Sequence, residues 1–459
     1  MPHKPDDRPN IIVMLMDNLG YGDLECYGSQ RHRTPNLDRM AREGMRFTSF
    51  YSTSGVCTPS RASLTTGCYP RRVNLHCSGE KRPVLFPGDA KGLHPDEITM
   101  ADILRDQGYA TACVGKWHLG DQPPFLPTRH GFDEFFGAPY SEDMVPNAGR
   151  GKHWPPLPLM RNETVIEAPP DRDLLTRRYT DAAIDFIRRR SNQPFFLYLP
   201  QAMPGSSAQP FVSPPFRGRS ANGVYGDCVE ELDASAGEIL ETLTQLGLDD
   251  RTLVIWTSDN GAVRHEPMQG SNAPLRGWGY DTSEGGQRMP MIARWPGRIP
   301  GGIVRDDVAT MMDLLPTAAG LAGTTVPTDR IIDGHDLAPA LFSDKPAASP
   351  YDKCGFFYYH IHQLQAVRCG PWKLYLPLER KLEGLSGDLS KGIPAEARLF
   401  NLNEDLHEDR ELAARHPEIV ARLTKLADTA RRELGDEDRP GSDQRPAGWV
   451  DQPTPRVLS

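Results

Sequence analysis

The chain has 459 residues, a hydrophobic fraction of 38% and a formal net charge of −9, with 61 acidic and 52 basic side chains. An acidic chain without a continuous run of Lys and Arg is not expected to bind nucleic acid, although a local cluster of cations can still hold a small anion. Because single cores stop growing at about 250–300 residues, we expect two domains.

The N-terminal residues 1–8 are polar and lead into a short apolar run, residues 11–16. This run is shorter than a signal-peptide core or a membrane span, so the sequence as written predicts a cytoplasmic protein that does not span a membrane. A periplasmic or secreted location would follow if a leader has been removed. The eight cysteines form no CxxC pair and no zinc-finger spacing, which favours a reduced compartment.

From residue 10 to about residue 320, short apolar runs alternate with stretches of helical period. Predicted strands cover residues 11–16, 109–114, 195–199 and 253–256, and predicted helices cover 36–43, 100–106 and 228–246. This alternation is typical of an α/β fold with a large, mainly parallel sheet flanked by helices. Ligands of such sheets bind beyond the carboxyl ends of the strands.

After residue 350 the pattern changes to four closely spaced strands and one charged helix, at residues 355–360, 364–367, 372–376, 398–402 and 417–434. This order predicts a small antiparallel sheet covered by a helix. We therefore predict a large domain over residues 1–348 and a small C-terminal α+β domain over 349–459, with an irregular tail from residue 435. Pro-rich stretches at 122–127, 153–158 and 209–215 are interpreted as pocket walls or as plain surface connections.

The most informative stretch is Cys57-Thr58-Pro59-Ser60-Arg61. Pro59 suits a first helical turn, so Cys57 would lie at a helix N-terminus, where peptide dipoles favour an anion. A cysteine is often only a small buried apolar residue. The pattern, however, resembles the C-x-P-x-R motif of the type I sulfatases, in which a maturation enzyme oxidises the Cys to formylglycine. The resemblance implies that one hydroxyl of the aldehyde hydrate attacks sulfur, a second expels sulfate, and Arg61 holds the hydrate.

Two further blocks of the chain supply oxygen ligands for a metal. Asp17 and Asn18 end the first strand, where the family usually has two Asp before L-G-Y-G-D, and Asp259 and Asn260 match its D-N-G block. Turn or capping Asp residues are the structural alternative. Carboxylate and amide oxygens suit Ca²⁺ or Mg²⁺ and not Zn²⁺. We predict calcium, held by these four residues and Cys57, with Asn18 removing one charge from the usual set.

The block G-K-W-H-L-G at residues 115–120 also matches the family. The resemblance implies that Lys116 bridges the nucleophile and the sulfate, and that His118 orients the formylglycine hydroxyl. A lone Lys or His would ordinarily be structural, but both at one strand end in this context indicate function. The segment ending at Ser141 resembles the family segment whose Ser contacts the pocket beside the metal.

Two departures from the family affect the leaving group. Gly205 stands where the family has the His that protonates the leaving oxygen, and Gly279 stands where it has a sulfate-binding Lys. Gln201, where some relatives carry His, can hydrogen-bond substrate but cannot act as an acid. His265 is the nearest His in sequence to the predicted metal ligands, although a solvated loop His is the alternative. We predict substrate contacts from Gln201 and His265 and leave the proton donor open.

The family blocks follow in family order over nearly the whole chain, so the chain is identified as an arylsulfatase-like member of the alkaline-phosphatase superfamily. The resemblance implies hydrolysis of the S–O bond in a sulfate monoester, either a small aryl sulfate or a saccharide sulfate. Because cations are missing at residues 205 and 279, a phosphonate monoester or phosphodiester hydrolase is an alternative. A metal-binding protein with degenerate catalysis is another, and an oligomer is compatible with the sequence.

Overall fold

A computed structural model of the protein describes residues 8–79, 82–146, 154–384 and 392–458. The first part of the chain contains twelve strands among these residues: β1 (Asn10–Asp17), β2 (Met45–Tyr51), β3 (Lys91–Gly92), β4 (Ala110–Val114), β5 (Glu134–Gly137), β6 (Leu159–Arg161), β7 (Thr164–Glu167), β8 (Phe195–Pro204), β9 (Thr252–Ser258), β10 (Arg288–Arg294), β11 (Ile303–Arg305) and β12 (Ala309–Thr310).

All of these strands except β3 belong to one sheet, in the order β11-β2-β10-β9-β1-β8-β4-β5-β6-β7, with β12 beside β2. The central strand β1 lies between β8 and β9 and is parallel to both. Among the described strands of this sheet, only β10 and β6 are antiparallel to both of their neighbours. The prediction of a large, mainly parallel sheet is confirmed.

Helices cover both faces of the sheet. In chain order they are α1 (Pro35–Glu43), α2 (Cys57–Thr66), α3 (Met100–Asp106), α4 (Leu175–Arg190), α5 (Gly223–Gln245), α6 (Glu284–Gln287), α7 (Leu314–Leu321), α8 (Ala338–Leu341), α9 (Tyr351–Cys354) and α10 (Pro417–Glu433). Alternate residues of β1 enter two separate cores, with Val13 on one face and Met14 on the other. A strand covered on both faces requires a continuous apolar run, which is the pattern of residues 11–16.

The C-terminal part forms its own sheets, also as predicted. Its strands are β13 (Phe356–His360), β14 (Gln363–Cys369), β15 (Trp372–Tyr375), β16 (Leu378–Lys381), β17 (Ile393–Ala395), β18 (Arg398–Asn401), β19 (Gly435–Asp436), β20 (Arg439–Pro440) and β21 (Gly448–Trp449). β13, β14, β15 and β18 form an antiparallel sheet, and α10 contacts β14 and β15. The boundary at residue 348 stays a prediction.

The tail departs from the predicted irregular path. β19 pairs with β20, and β21 returns to the large domain, where it pairs with β3. The return is possible because Gly448 has no side chain: a Cβ there would lie 2.4 Å from the Phe125 ring. No helix in the described ranges is both long and apolar enough to cross a membrane. Residues 1–7, used for the prediction about a leader, and residue 153 of one Pro-rich stretch lie outside those ranges.

Candidate active site

Three strands of the large sheet and one helix position the predicted site residues. β1 ends at Asp17, β9 is followed by Asp259, and β4 is followed after one residue by Lys116. These strands are parallel, so their carboxyl ends share one edge of the sheet. Cys57 is the first residue of α2 and is only 7% exposed. The sheet and the helix together bring the predicted nucleophile and the predicted metal ligands to one buried place.

The Cys57 thiol faces two carboxylates. Its Sγ and one carboxylate oxygen each of Asp17 and Asp259 lie within 4.8 Å of one another. Burial raises the pKa of the Cys57 thiol well above its ordinary value, and the charges of Asp17 and Asp259 act in the same direction. An unmodified thiol here is protonated at neutral pH and is a poor nucleophile, because the thiolate is the reactive form.

The amides complete a set of oxygen donors that fits a divalent cation. Asn260 Nδ2 donates to Asn18 Oδ1 (2.5 Å), whereas Asn260 Oδ1 is buried and has no hydrogen-bond partner among the described residues. Buried carbonyl oxygens are nearly always paired, so an orphaned one indicates a missing ligand. Together with Asp17 and Asp259, these atoms are the hard donors that Ca²⁺ and Mg²⁺ prefer.

Arg61 and Lys116 neutralise the two carboxylates. Arg61 Nη2 donates to Asp17 Oδ1 (3.0 Å) and Asp259 Oδ2 (2.9 Å), and Lys116 Nζ donates to Asp17 Oδ1 (2.7 Å). Burial alone would raise the pKa of Asp17, but the charges of Lys116 and Arg61 outweigh it and hold that pKa well below its ordinary value. The four formal charges cancel, so a bound divalent cation would leave a positive centre that attracts an anionic ester.

His118 presents a hydrogen-bond acceptor. Its Nε2 lies 3.0 Å from the Leu85 carbonyl oxygen. A carbonyl oxygen can only accept a hydrogen bond, so Nε2 carries the proton of the neutral ring. Nδ1 is then unprotonated, and it has no partner in the part of the chain that the structure describes. Burial lowers the pKa of His118 well below its ordinary value, and the charges of Lys116 and Arg61 add to this effect. The neutral ring can therefore accept a proton from a hydroxyl.

The three predicted substrate contacts are placed differently. Ser141 Oγ accepts a hydrogen bond from Lys116 Nζ (3.1 Å) and so belongs to the charged centre. Gln201 lies within β8, and its Nε2 donates to Ser235 Oγ of α5 (3.3 Å), which directs it toward the helices. His265 is partly buried in the loop after β9, and its Nε2 has no hydrogen-bond partner among the described residues. Substrate binding by these three residues stays a prediction.

Two residues near the centre were not predicted. Glu142 is fully buried, and its Oε2 accepts a hydrogen bond from Ser141 Oγ (3.2 Å). Tyr280 has a φ of 74°, which is strained for an aromatic residue, and burial and the neighbouring Cys57 raise the pKa of its phenol well above its ordinary value. The only sequence signal for either residue was its position next to Ser141 or Gly279.

A mainly parallel α/β sheet with a nucleophile and a cation-binding centre at its strand ends defines an alkaline-phosphatase-like hydrolase. Comparison with protein families narrows this class. The Sulfatase family model matches residues 9–324, and the model for the C-terminal region of aryl-sulfatase matches residues 352–450. The chain belongs to the sulfatase family, whose members typically use a metal ion and a formylglycine.

Similar proteins agree with this assignment. N-acetylgalactosamine-6-sulfatase from Canis lupus familiaris is 42% identical over 379 residues, which cover 80% of this chain and 71% of that protein. Arylsulfatase A from Homo sapiens is 39% identical over a region that covers 80% of this chain and 74% of that protein. The crystal structure of the PsFucS1 sulfatase from Pseudoalteromonas sp. has a TM-score of 0.79 at 28% identity and covers 92% of this chain and 89% of its own.

The phosphonate alternative has weaker support. Phosphonate monoester hydrolase of Agrobacterium radiobacter is 19% identical with a TM-score of 0.61, a likeness that shows the shared fold alone. Family membership and the sulfatase relatives confirm the main functional prediction: the protein is a sulfuric ester hydrolase that acts on a sulfate monoester.

Proposed function

We propose that the protein removes sulfate from a carbohydrate sulfate ester, using a formylglycine formed from Cys57 and a calcium ion. The observation that carries this proposal is the convergence of Cys57 with Asp17 and Asp259, whose ligand atoms lie within 4.8 Å of one another. Because the chain encodes Cys at this position, a formylglycine-generating enzyme is a required partner. Formylglycine supplies the nucleophilic hydroxyl.

Four side chains would hold the cation together with residue 57: Asp17, Asn18, Asp259 and Asn260. When bound, a divalent cation polarises a sulfate oxygen and stabilises the negative charge of the transition state. We propose calcium because mixed carboxylate and amide oxygens form the flexible coordination shell that it accepts, whereas Mg²⁺ demands near-ideal octahedral geometry and keeps several waters. Magnesium is the alternative ion.

The remaining centre residues act on the ester directly. Lys116 and Arg61 carry fixed positive charges into a buried site, where such charges stabilise a developing anion strongly. Ser141, which is hydrogen-bonded to Lys116, is placed to contact the ester. His118 accepts the proton of the attacking hydroxyl at Nδ1. Arg61 also donates to the Lys116 backbone carbonyl (2.6 Å), which fixes the position of the two cations relative to each other.

Two observations support a carbohydrate as the natural substrate. One is the N-acetylgalactosamine-6-sulfatase name of a relative that is 42% identical. The other is a cavity of about 430 Å³, which is lined by Tyr280 and its neighbours in the large domain and by residues of the C-terminal domain. Its lining includes the cationic and aromatic side chains of Arg264, Arg276, Lys381, Trp278 and Tyr280, together with the carboxylates of Asp281 and Glu383. Aromatic faces and cations suit the rings and the negative charges of a sulfated saccharide.

The proposal is tested with protein co-expressed with a formylglycine-generating enzyme. The peptide that contains residue 57 should lose about 18 Da, the exchange of sulfur for oxygen with loss of two hydrogens. We expect release of inorganic sulfate from 6-sulfated N-acetylgalactosamine and from 4-nitrophenyl sulfate. Cleavage of a nitrophenyl phosphate diester should be about 100-fold slower or more, because a sulfatase site stabilises the transition state of sulfate transfer better than that of phosphate transfer. Metal analysis should give one calcium per chain.

Cys57→Ala is the matched control and should release no sulfate, because it cannot form the nucleophile. Faster cleavage of the phosphate diester than of both sulfates would contradict the proposal. Cleavage of nitrophenyl sulfate without cleavage of the sulfated sugar would reject the carbohydrate and leave an aryl sulfatase.

A further inference from the structure

The space beside Gly205 is occupied by a carboxyl group from another loop. Gly205 follows β8 with a φ of 73°, and its N–H donates to the Asp17 backbone oxygen (3.0 Å), so it lies at the edge of the active centre. A Cβ at this position would lie 2.3 Å from Glu142 Oε1. The chain therefore lacks a side chain at this position and has the Glu142 carboxyl directly against it.

Glu142 is connected to the centre through one hydroxyl. Ser141 Oγ lies 3.2 Å from Glu142 Oε2 and 3.1 Å from Lys116 Nζ. Glu142 Oε1 is buried and has no hydrogen-bond partner in the described part of the chain. Lys116, Ser141 and Glu142 thus form a line from the charged centre to the space beside Gly205.

The surroundings of Glu142 favour its neutral form. The charged and titratable groups that face it come from its own loop, the ends of β1 and β4, the segment before α4, α4 and α5: Asp143, Asp17, Lys116, Arg172, which donates to the Glu142 backbone oxygen (3.1 Å), Tyr179 and Cys228. Burial raises the pKa of Glu142 to about 8, with Asp143 acting in the same direction and Lys116 opposing it. At neutral pH the side chain is a carboxylic acid, which can donate a proton.

We propose that Glu142 supplies, through Ser141, the proton that the leaving oxygen takes when the sulfate ester is cleaved. This inference rests on the proposed function. Ser141 Oγ contacts the leaving oxygen in this scheme, so Glu142 is a positioning residue for the proton and does not touch substrate. It replaces in function a side chain that Gly205 cannot provide.

The proton transfer balances. When the S–O bond breaks, its electron pair goes to the leaving oxygen, which takes the hydroxyl proton of Ser141. For this step the Ser141 hydroxyl turns from Glu142 toward the leaving oxygen, and Ser141 Oγ takes the acid proton from Glu142 Oε2 across the 3.2 Å contact. The carboxylate that remains regains a proton from water after the alcohol has left. Lys116, which donates to the same Oγ, stabilises the negative charge during the transfer.

The first test compares leaving groups. Glu142→Gln keeps the size of the side chain but removes the acid proton. We expect its kcat for 6-sulfated N-acetylgalactosamine to fall about 100-fold with little change in KM, because general acids contribute about 10²–10⁴-fold. Its kcat for 4-nitrophenyl sulfate should fall less than about threefold, since nitrophenolate leaves without a proton. Equal losses on both substrates would overturn the proposal.

The second test follows pH. For the sugar sulfate, wild-type kcat should decline as the pH rises through about 8, because the acid form is lost. This decline should vanish in Glu142→Gln and should move to lower pH in Asp143→Asn, since the Asp143 charge raises the pKa of Glu142. If kcat declines in the same way in both variants, the decline belongs to another group, and the proposed proton transfer from Glu142 through Ser141 is rejected.

A third measurement does not depend on turnover. The infrared difference spectrum between Cys57→Ala and Cys57→Ala/Glu142→Gln at pH 7 should contain the C=O stretch of a protonated carboxyl, and this band should disappear at pH 10. Its absence at pH 7 would overturn the proposal even if both variants fold. If the matured wild type cleaves no sulfate ester at all, the proposed function fails, and the infrared band still reports on Glu142 independently.

Discussion

Two fully buried clusters of charge in the described part of the chain, the active centre and a second one, differ in how their central groups are paired. The second cluster, here called the junction cluster, surrounds Glu284 where the two domains meet. Glu284 Oε1 accepts from Tyr358 (2.9 Å) and Lys373 (2.9 Å), and Oε2 accepts from Tyr51 (2.5 Å) and Arg288 (3.3 Å). Both carboxylate oxygens are paired with groups from the large sheet and from the C-terminal sheet.

The active centre also contains buried carboxylates and cations, but several of its polar atoms lack hydrogen-bond partners within the described ranges. Asn260 Oδ1, His118 Nδ1 and Glu142 Oε1 are buried there without a hydrogen-bond partner among the described residues. A buried polar atom without a partner costs free energy, so it is retained where a ligand completes it. The difference predicts that substitutions in the active centre chiefly affect metal binding and turnover, whereas substitutions in the junction cluster chiefly affect the free energy of unfolding.

The largest expected effect is that of Asp259→Ala. This change removes a proposed metal ligand and the main partner of Arg61, so bound calcium should be lost and kcat should fall by at least about 10⁴-fold, or about 5 kcal/mol. Metal analysis and kinetics check it, with the exposed carboxylate change Asp329→Ala as the control. A variant that keeps stoichiometric calcium would show that the proposed ligand set is wrong.

Lys116→Ala is expected to have the next largest effect. Loss of one fixed charge at a developing anion lowers kcat by about 10²–10³-fold, while the fold should persist because Arg61 still pairs with Asp17. Lys91→Ala is a matched control, since Lys91 is also largely buried but donates to the Cys77 carbonyl. Similar losses of kcat in both variants would indicate a general effect of burial and not a role for Lys116.

The convergence of the nucleophile and the metal ligands followed from the sequence because it depends on short-range patterns. Each of Asp17, Lys116 and Asp259 comes at or just after the end of a buried apolar run, and parallel strands bring their carboxyl ends to one edge. The helix at 100–106 was predicted with the bounds that α3 has. Local patterns and one rule of sheet topology therefore bring these residues together, whereas the choice of Cys57 as the nucleophile and of the ligand set came from the resemblance to the type I sulfatases.

The part of the site that faces the leaving group, around Gln201, Gly205 and Glu142, could not be predicted in the same way. β8 continues to Pro204, beyond the predicted end at residue 199, so Gln201 lies in a strand and its side chain is directed toward α5. The contact between Gly205 and Glu142 joins residues 63 positions apart and depends on how two loops pack. The antiparallel direction of β10 likewise cannot be inferred from its seven buried residues.

Glu284→Gln tests the junction cluster. Loss of the charge leaves Arg288 buried beside a neutral amide and leaves Lys373 with Glu408 (3.2 Å) as its remaining carboxylate partner, so the free energy of unfolding should fall by about 3 kcal/mol. Denaturant unfolding measures this change, and kcat at a temperature where the variant is folded should stay close to that of the wild type. A drop in kcat with unchanged stability would reverse the distinction between the two clusters.

The smallest and most specific effect concerns Gly205→Ala, for which Gly218→Ala is a close control. Both glycines have a φ of 73°, but a Cβ at Gly218 meets nothing within 4 Å, whereas one at Gly205 lies 2.3 Å from Glu142 Oε1. The left-handed backbone alone costs about 1–2 kcal/mol for a non-glycine residue, so Gly218→Ala should lose about that much stability. Gly205→Ala should lose more and should alone slow cleavage of the sugar sulfate, because it displaces the Glu142 carboxyl from Ser141. If the two variants behave alike, the Glu142 carboxyl does not lie against residue 205, and the active centre lacks the proposed proton relay to the leaving oxygen.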